Sequence, residues 1–366
     1  MAYTTVNDPS EYFDTLIWTG NGNSPRTETG LNFQPDWVWH KNRVDSGRSH
    51  YSHDSSRGFG AQKELTPNST DIENSDNHLT ENHGFINAAT SSGITIGAGA
   101  STQNYTNRAG ATYVAWCWKA NGATTTTNDA SSTSIGSIDS VHQANTAAGF
   151  SIVTYTGDGN NNASFAHGLG TAPQWVLIKN RDTVRSWLVG HHKIGFNFIA
   201  GHLNSAVDRD EDSVYFNNTA PTSTVVTLGT NEGGNEDGDK FVAYCFAEVQ
   251  GYSKFGTYTG NGNANGPFVY TGFKPAFIMQ KNTADSTNWN MYDNVRSTQN
   301  TTDDVLLANG NDVEGAVSGK SIDFLSNGFK LRGTDNETND NNDVHVYMAF
   351  AASPFVTSNK TPNNAS

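Results

Sequence analysis

The sequence of 366 residues has few charged side chains and no long apolar run. Charged residues make up 16% of the chain, against about 25% in an average soluble domain. The low share of Ala, Leu, Glu and Lys argues against helical bundles and coiled coils. No apolar stretch approaches the roughly 18 residues needed to cross a bilayer, so we expect no membrane insertion.

Basic residues are also scarce, and this limits the possible partners. The chain has 22 Lys and Arg against 36 Asp and Glu, which gives a net charge of −14. An acidic chain without a Lys/Arg run repels phosphate, so nucleic acid is not an expected partner. The start, Met-Ala-Tyr-Thr-Thr-Val, lacks the basic and apolar regions of a secretory signal.

The two cysteines, Cys117 and Cys245, occupy the same position in near-copies of one apolar strand. Equivalent positions in two separate cores should not meet. We therefore expect two small buried hydrophobic side chains rather than a disulfide or a metal pair.

The sequence contains three copies of one unit. Each copy has an aromatic-Thr-Gly-Asx-Gly phrase, then Pro-x-aromatic-β-branched-x-x-Lys-Asn, then a closing apolar strand. The order never changes, which predicts triplication of a unit of about 100 residues. The landmarks are Trp18–Gly22, Tyr155–Gly159 and Tyr258–Gly262; Pro35–Asn42, Pro173–Asn180 and Pro275–Asn282; and Tyr113–Trp118, Phe241–Ala247 and Val346–Ala351.

Short runs of β-branched and aromatic residues alternate with Gly- and Asn-rich turns within each copy. This pattern favours a two-sheet sandwich or jelly roll. We predict an all-β protein of three tandem antiparallel, lectin-like β-sandwich modules. The predicted divisions are 1–122 (a docking segment plus repeat 1), 123–148 (a Thr/Ser/Asn-rich linker), 149–250 (repeat 2), 251–356 (repeat 3) and 357–366 (a polar tail).

The repeats resemble a domain found in tandem in virion proteins of marine tailed bacteriophages. The phrases that carry the resemblance include His167–Pro173, Val242–Glu248, Gly251–Gly256, Gly266–Phe273 and Phe324–Leu331. The family looks like concanavalin A-type or laminin-G-like sandwiches. The resemblance implies a tail-fibre-like protein on the virion surface, made in the host cytoplasm and released by lysis. It also implies contacts with other virion proteins and a homo-oligomer, trimeric by analogy with fibres.

On this basis we expect a non-enzymatic protein that contacts host cell-surface glycan weakly and multivalently. A capsid-decorating or tail-adaptor protein without a ligand is the first alternative. A polysaccharide-degrading enzyme is the second. It is disfavoured because the sequence shows neither a pair of carboxylates flanked by apolar residues nor a Gly-x-Ser-x-Gly elbow.

An aromatic residue follows each Lys-Asn pair at similar spacing and suggests a carbohydrate surface. Sugar rings stack on aromatic faces, while amide and charged groups meet their hydroxyls. The candidate residues are Tyr51, Trp187, Trp289, Arg185 and Asn288. The alternative is that these aromatics face the sandwich core.

Two further groups are candidate sites. The loops before the closing strands of repeats 2 and 3 are rich in the oxygen ligands that calcium prefers. Calcium is the one cofactor these loops suggest, although polar turns need no ion. The opening segment is aromatic, and we predict that it docks on a neighbouring subunit or virion component, or packs on the first sandwich. The candidates are Asp237, Asp239, Asp335, Asp340 and Asp343 for calcium, and Tyr3, Tyr12 and Phe13 for docking.

Overall fold

The structure is a computed structural model that describes residues 3–75, 83–97 and 105–362. It is 40% strand and 5% helix, with several antiparallel sheets. The prediction of an all-β fold is confirmed. Among the described residues no helix is long and apolar enough to cross a membrane.

The first repeat forms two sheets on either side of an outer core. The inner sheet has the order β1-β7-β3-β4, and the outer sheet has the order β2-β6-β5. A 3-10 turn at Pro9–Glu11 precedes them. Leu16, Ile94 and Cys117 are among the buried side chains between the sheets. The strands are β1 Phe13–Thr19, β2 Arg26–Thr29, β3 Trp37–Asn42, β4 Tyr51–Asp54, β5 Phe85–Thr90, β6 Gly93–Gly97 and β7 Thr112–Trp118.

The second repeat has the same four-stranded inner sheet as the first, with two further strands added at one edge. Its order is β13-β12-β17-β10-β9-β8, and the short pairs β11-β16 and β14-β15 lie outside it. Cys245 is buried in this repeat's own outer core. Both cysteines are free and buried, as predicted. The elements are β8 Thr126–Asn128, α1 Ala130–Thr133, β9 Ser140–Asn145, β10 Phe150–Thr156, β11 Ser164–Ala166, β12 Trp175–Asn180, β13 Leu188–His191, β14 Phe198–Ile199, β15 Asp210–Glu211, α2 Ser213–Phe216, β16 Val225–Thr227, α3 Glu232–Asn235 and β17 Lys240–Phe246.

The third repeat has an inner sheet of order β18-β26-β20-β21-β22-β23 and an outer sheet of order β19-β25-β24. Its outer core includes Val269, Phe324 and Phe329. The elements are β18 Ser253–Thr259, β19 Phe268–Tyr270, β20 Phe273–Asn282, β21 Asn290–Asp293, β22 Asp304–Leu307, β23 Gly315–Ala316, β24 Ile322–Leu325, β25 Gly328–Leu331, α4 Asn336–Asn339 and β26 Val344–Pro354.

The three inner sheets turn their second faces towards one shared central core. Trp37 of the first repeat stacks on Tyr244 of the second, with ring centroids 4.3 Å apart. Phe13 stacks on Phe350 of the third repeat at 5.0 Å. Every tryptophan except Trp18 lies in this core. The prediction of three tandem sandwich modules did not include this shared core, which exists because the inner strands are apolar on both faces.

Residues 123–148 are not a free linker. Strand β9 pairs with β10 over six residues, from Phe150↔Asn145 to Tyr155↔Ser140, and β8 pairs with β9 in turn. The segment has little apolar content, but it is held by backbone pairing and by the buried side chain of Gln143, whose Oε1 accepts from the backbone N–H of Asn121 and Ala123. Composition misled here because backbone ladder hydrogen bonds hold a strand in a sheet even where its side chains are polar.

Limited digestion with a broad-specificity protease should leave residues 140–145 intact while the chain is folded. The ladder between β9 and β10 must open before this backbone can enter a protease site. Mass spectrometry of early products would show the cut positions, and loss of the exposed residues around Lys360 would show that the protease is active. A first cut inside 140–145 would contradict this arrangement.

The Thr-Gly-Asx-Gly phrase is explained by one turn that all three repeats share. A Cβ on Gly20 would lie 2.1 Å from the carbonyl oxygen of Arg108, so this position has no room for a side chain. Gly22 has a φ of +76°, which favours glycine. Between them the backbone N–H of Asn21 donates to Oδ1 of the buried Asn107. The equivalent bonds run from Asp158 to Asn235 and from Asn261 to Asn339.

The polar tail lies beside the N-terminal segment. The backbone N–H of Ser358 donates to Oδ1 of Asn7, and Thr357 bonds to Thr361 within a turn. Residues 363–366, the last part of the predicted polar tail, lie outside the described residues.

Candidate functional site

The three aromatics predicted to stack on sugar are fully buried. Tyr51, Trp187 and Trp289 each have 0% of their surface exposed. The indole N–H of Trp187 donates to the carbonyl of Thr66, and that of Trp289 to the carbonyl of His202. Buried rings have no free face for a sugar, so these residues serve packing, which was the alternative interpretation.

The strand pairing shows that Tyr51 does not occupy the position that Trp187 and Trp289 hold in their repeats. Tyr51 pairs with His40 on β3, whereas Leu188 pairs with Ile178 at the same place in the second repeat. The residue equivalent to Trp187 and Trp289 is therefore His50, one position before Tyr51. His50 accepts from the indole N–H of Trp39 and contacts the carbonyl of Leu307.

The polar partners predicted for sugar binding lie in different repeats and already contact acidic side chains. Arg185 forms an ion pair with Glu232 of its own repeat. Asn288 donates from Nδ2 to Oε1 of Glu337, at 2.7 Å. The structure does not bring the five predicted residues together as one surface.

The N-terminal aromatics dock within the chain. Phe13 lies in the central core, and Tyr12 meets the ring of Tyr252 edge-on at 5.9 Å. The Tyr3 hydroxyl donates to the carbonyl of Gly272 at 2.8 Å. These contacts are made with the third repeat. Phe13 also packs on Trp118 of the first repeat, with ring centroids 5.0 Å apart, and Lys119 lies over the Tyr12 ring. The interpretation that the segment packs on the first sandwich is therefore correct in part, and the structure shows in addition that the segment joins the first repeat to the last.

The repeats close into a ring through three equivalent junctions. In each one, a loop of one repeat bonds to the Lys-Asn turn and the adjoining strand of the next. The first repeat contacts the second, the second contacts the third, and the third returns to the first. The bonds are Arg185 N to Thr70 O and Glu73 N to Arg181 O; Lys281 Nζ to Ala206 O and Arg209 N to Thr283 O; and Gly47 N to Asn311 O and Glu314 N to Arg43 O.

The lysine that all three Lys-Asn phrases share is buried and donates hydrogen bonds to backbone carbonyls. Lys179 is 0% exposed and donates from Nζ to the carbonyls of Thr70, Asn180 and Arg185. Burial lowers the pKa of Lys179 to about 7, and that of Lys41 and Lys281 to about 8. These lysines hold backbone oxygens within and between repeats, so the phrase has a structural role.

Two of the junctions contain a buried arginine paired with an aspartate, and the junction of the second and third repeats has other residues at these positions. Arg57 pairs with Asp54 at 2.5 Å and with Glu73 at 3.0 Å, and both Arg57 and Asp54 have fully buried side chains. Arg296 repeats this arrangement with Asp293 and Glu314. In the second repeat, His191 and Ile194 stand at the positions of Asp54 and Arg57, so the junction with the third repeat lacks this pair.

A strip of exposed aromatic side chains lies on the third repeat. Phe268 and Tyr270 are 45% and 54% exposed, and Val269 between them points into the outer core. They stand on β19, an edge strand of the outer sheet. The Tyr270 hydroxyl lies 3.2 Å from that of Tyr3. We name Tyr3, Phe268 and Tyr270 the aromatic strip.

The surroundings of the aromatic strip are flat and polar. A Cβ on Gly328 would lie 3.0 Å from the Phe268 ring, so that ring rests over bare backbone. The turn that leads into β19 exposes Asn261, Asn263 and Asn265. Sequence reasoning missed this surface, although the alternation Phe268-Val-Tyr270 on a strand was the signal that could have revealed it.

The acidic residues predicted to bind calcium divide into separate roles. Asp239 accepts from Nδ2 of Asn180, and Asp335 caps α4 by accepting from the N–H of Glu337. Asp237 is exposed on its turn. Only Asp340 and Asp343 come together. Their carboxylate oxygens and that of Asp285 lie within 4.8 Å of one another, and Asp285 was missed by the sequence analysis.

The fold is thus an all-β ring built from three copies of one unit. Residues 8–354 match a family described as a domain of unknown function, DUF7483. The chain belongs to this family. Because the match runs through all three repeats in one piece, the family's unit is the whole ring and not the single repeat. No curated protein and no solved structure matches the chain.

Proposed function

We propose that this protein is a non-enzymatic surface protein of a tailed-phage virion that contacts host cell-surface glycan through the aromatic strip. The observation that carries the proposal is the exposure of Phe268 and Tyr270 on one face of an edge strand. Alternate residues of a strand stand about 7 Å apart on the same face. One glycan chain can therefore lie across both rings, because sugar rings stack on aromatic faces.

The neighbouring polar groups suit the same ligand. Exposed amides of Asn263 and Asn265 can donate to and accept from sugar hydroxyls. Lys330 lies opposite Phe268 in the ladder. The resemblance of the repeat phrases to virion proteins supports the location, and the amide-rich, lightly charged composition agrees with it.

The equivalent strands of the first and second repeats carry no aromatic pair of this kind. Ser164 and Ala166 stand on the equivalent strand β11 of the second repeat, and β2 of the first carries no aromatic residue. A single open strip gives weak binding. We therefore infer that useful affinity comes from several chains displayed together, which raises the effective concentration of sites.

The double variant Phe268→Ser/Tyr270→Ser should bind host surface polysaccharide at least tenfold more weakly than the wild type. Removing both rings removes the stacking surface but leaves the outer core intact, since both side chains point to solvent. The measurement is surface plasmon resonance on immobilised host polysaccharide, with the protein oligomerised on a carrier. Val184→Ser is the matched control, because Val184 is 55% exposed and lies in another repeat. Equal binding by wild type and double variant would contradict the proposal.

A structural adaptor is the second candidate, and the closed ring of three equivalent units favours it. Such a ring offers three similar surfaces around one axis, and this suits a seat on a partner with threefold symmetry. The two candidates differ in a virion map. The adaptor requires one chain on each threefold axis of its partner together with no glycan binding by the purified chain.

A further inference from the structure

The edge strand β19 directs part of its backbone to the open side of the outer sheet. Hydrogen bonds at both ends of the ladder between β19 and β25 show which part: Leu331 N to Pro267 O, and Thr271 N to Asn327 O. Bonded and unbonded residue pairs alternate along an antiparallel ladder. The pair Val269↔Phe329, midway between those bonds, is therefore a bonded pair. The N–H and C=O groups of Phe268 and Tyr270 point away from β25.

These outward groups have no partner in the part of the chain that the structure describes. Outside the ladder, no hydrogen bond of the described residues reaches the N–H or C=O of Phe268 or Tyr270. Both side chains are exposed as well. The outer sheet thus ends at β19 in a row of open donors and acceptors, and such a row is a template for another strand.

The second repeat shows that this fold accepts further chain at the same edge. The ladder between β11 and β16 has the same bonds at its ends, Leu228 N to Ala163 O and His167 N to Thr224 O. The outward groups of β11 therefore belong to Ser164 and Ala166. The Ser164 carbonyl accepts from the N–H of Ser137 and Ile138, and the Ser164 N–H donates to Oγ of Ser137. The Ser140 hydroxyl donates to the Ala166 carbonyl.

The chain offers no such segment to the third repeat. Residues 123–148 precede the second repeat and cover its edge, whereas the third repeat follows the second at Gly251 without an insertion. In the described residues, the edge that residues 137–140 cover in the second repeat is therefore left uncovered in the third.

The first repeat protects the same edge with charge. Its strand β2 carries the ion pair between Arg26 and Glu28. Charged side chains on an edge strand hinder its pairing with another chain. Strand β19 has no charged residue, so it lacks this protection.

We propose that β19 pairs with β19 of a second copy of this chain, antiparallel and about a two-fold axis at Val269. In this register Phe268 of each copy lies opposite Tyr270 of the other, and every outward N–H meets an outward C=O. The two outer sheets join into one. A two-fold contact needs a surface that is complementary to itself, and an edge with one outward residue on either side of its centre meets that condition.

The side chains favour the same pairing. Phe268 and Tyr270 lie on one face of β19, so each Phe268 ring lies beside a Tyr270 ring of the second copy, and aromatic cross-strand pairs stabilise antiparallel strands. The contact uses the strand edge and leaves that face open, so the two aromatic strips adjoin. The pairing does not rest on glycan binding. It supplies part of the multivalency that the proposed function needs.

Sedimentation equilibrium of the purified full chain, without glycan, measures the pairing. Because so short an interface is weak, chain concentrations should reach about 1 mM, and about 0.5 M NaCl screens the −14 charge of each chain. We expect the mean mass to rise from one chain towards two. A wild type that stays monomeric throughout would overturn the proposal.

A proline at the edge tests the outward backbone groups. Tyr270→Pro removes an outward N–H but no bond to β25, so it should weaken association at least tenfold while near-ultraviolet circular dichroism shows an intact fold. Tyr270→Ser is the matched control, because it loses the ring but keeps the N–H, and it should associate more tightly than Tyr270→Pro. Association of a folded Tyr270→Pro as tight as that of the wild type would contradict the pairing.

Disulfide trapping tests the register without relying on the proline. Phe268→Cys/Tyr270→Cys places thiols opposite each other across the two-fold axis, with Cα atoms about 5.5 Å apart in a bonded pair, which a disulfide can span. Within one strand the two positions stand about 7 Å apart, which is too far for a bridge. Cys117 and Cys245 are buried and do not compete.

Mild oxidation of this variant should give a covalent dimer. The matched control is Thr27→Cys/Thr29→Cys, at exposed alternate positions of β2, and it should stay monomeric. No covalent dimer from the β19 variant, or an equal yield from the β2 control, would contradict the pairing. A monomeric chain that binds host polysaccharide would overturn this proposal alone, and a dimer that binds none would overturn only the proposed function.

Discussion

Replacement of Arg57 by Met should lower the free energy of unfolding by about 3–5 kcal/mol, because the carboxylate of Asp54 would stay buried without its cation. Arg57 and Asp54 both have fully buried side chains. The remaining direct partner of Asp54 from another repeat is the Tyr244 hydroxyl, which donates to Oδ2 at 2.7 Å. The backbone N–H of Arg57, which the Met variant keeps, donates to Oδ1 at 2.8 Å. Two hydrogen bonds from neutral groups do not offset the charge, so the junction between the first and second repeats should weaken.

Guanidinium unfolding followed by tryptophan fluorescence would measure this loss. Arg296→Met should give a similar decrease, since Arg296 holds Asp293 at the junction of the third and first repeats. Ile194→Met is the matched control at the uncharged position of the second repeat, and it should cost less than about 1.5 kcal/mol. A loss below 1 kcal/mol for Arg57→Met, on the scale of an exposed pair, would show that the charge is not buried as described.

Trp37→Ala should cost about 3–5 kcal/mol and should destabilise all three repeats together. The Trp37 ring stacks on Trp118 of its own repeat and on Tyr244 of the second, at 4.3 Å in each case. Its removal opens a cavity in the central core, which every repeat needs. Calorimetry should give one transition with equal van't Hoff and calorimetric enthalpies, for both the wild type and the variant.

Ile17→Ala is the control for this second prediction. Ile17 lies in the same repeat but is 45% exposed, so its truncation should change stability by less than about 0.5 kcal/mol. If the first repeat alone shifted to lower temperature in Trp37→Ala, with the other two unchanged, the repeats would be independent modules and the shared core would not control unfolding.

The repeats and the all-β fold could be predicted from the sequence, because the turn glycines, the Lys-Asn phrase and the closing strands leave local signals. The ring could not. Residues of β7 alternate between two buried faces, with Trp116 in the central core and Cys117 in the outer core. An apolar run shows that a strand is buried but does not say against what.

The candidate sites were harder to predict for a related reason. From their spacing in the sequence, Trp187 and Trp289 are candidates for exposed sugar-stacking residues. In the structure both are buried, and each indole N–H donates to a carbonyl of a neighbouring repeat. Asp285 lies far in sequence from Asp340 and Asp343, and only the folded turn brings the three together. Phe268 and Tyr270 lie within the phrase Gly266–Phe273. Alternation along three residues is too short to separate an outward face from an inward one.

One polypeptide forms all three repeats of the ring, so each repeat can diverge in sequence from the other two. In an assembly of three identical chains, any substitution appears three times, so a feature useful at one position is imposed on all. Here each third of the circle is encoded separately. In the part of the chain that the structure describes, the strip at Phe268 and Tyr270, the acidic group around Asp340 and the isoleucine at position 194 each belong to one repeat. Duplication of one unit gave the three repeats the same fold. Because each repeat is encoded separately, one repeat can change in sequence without the same change in the other two.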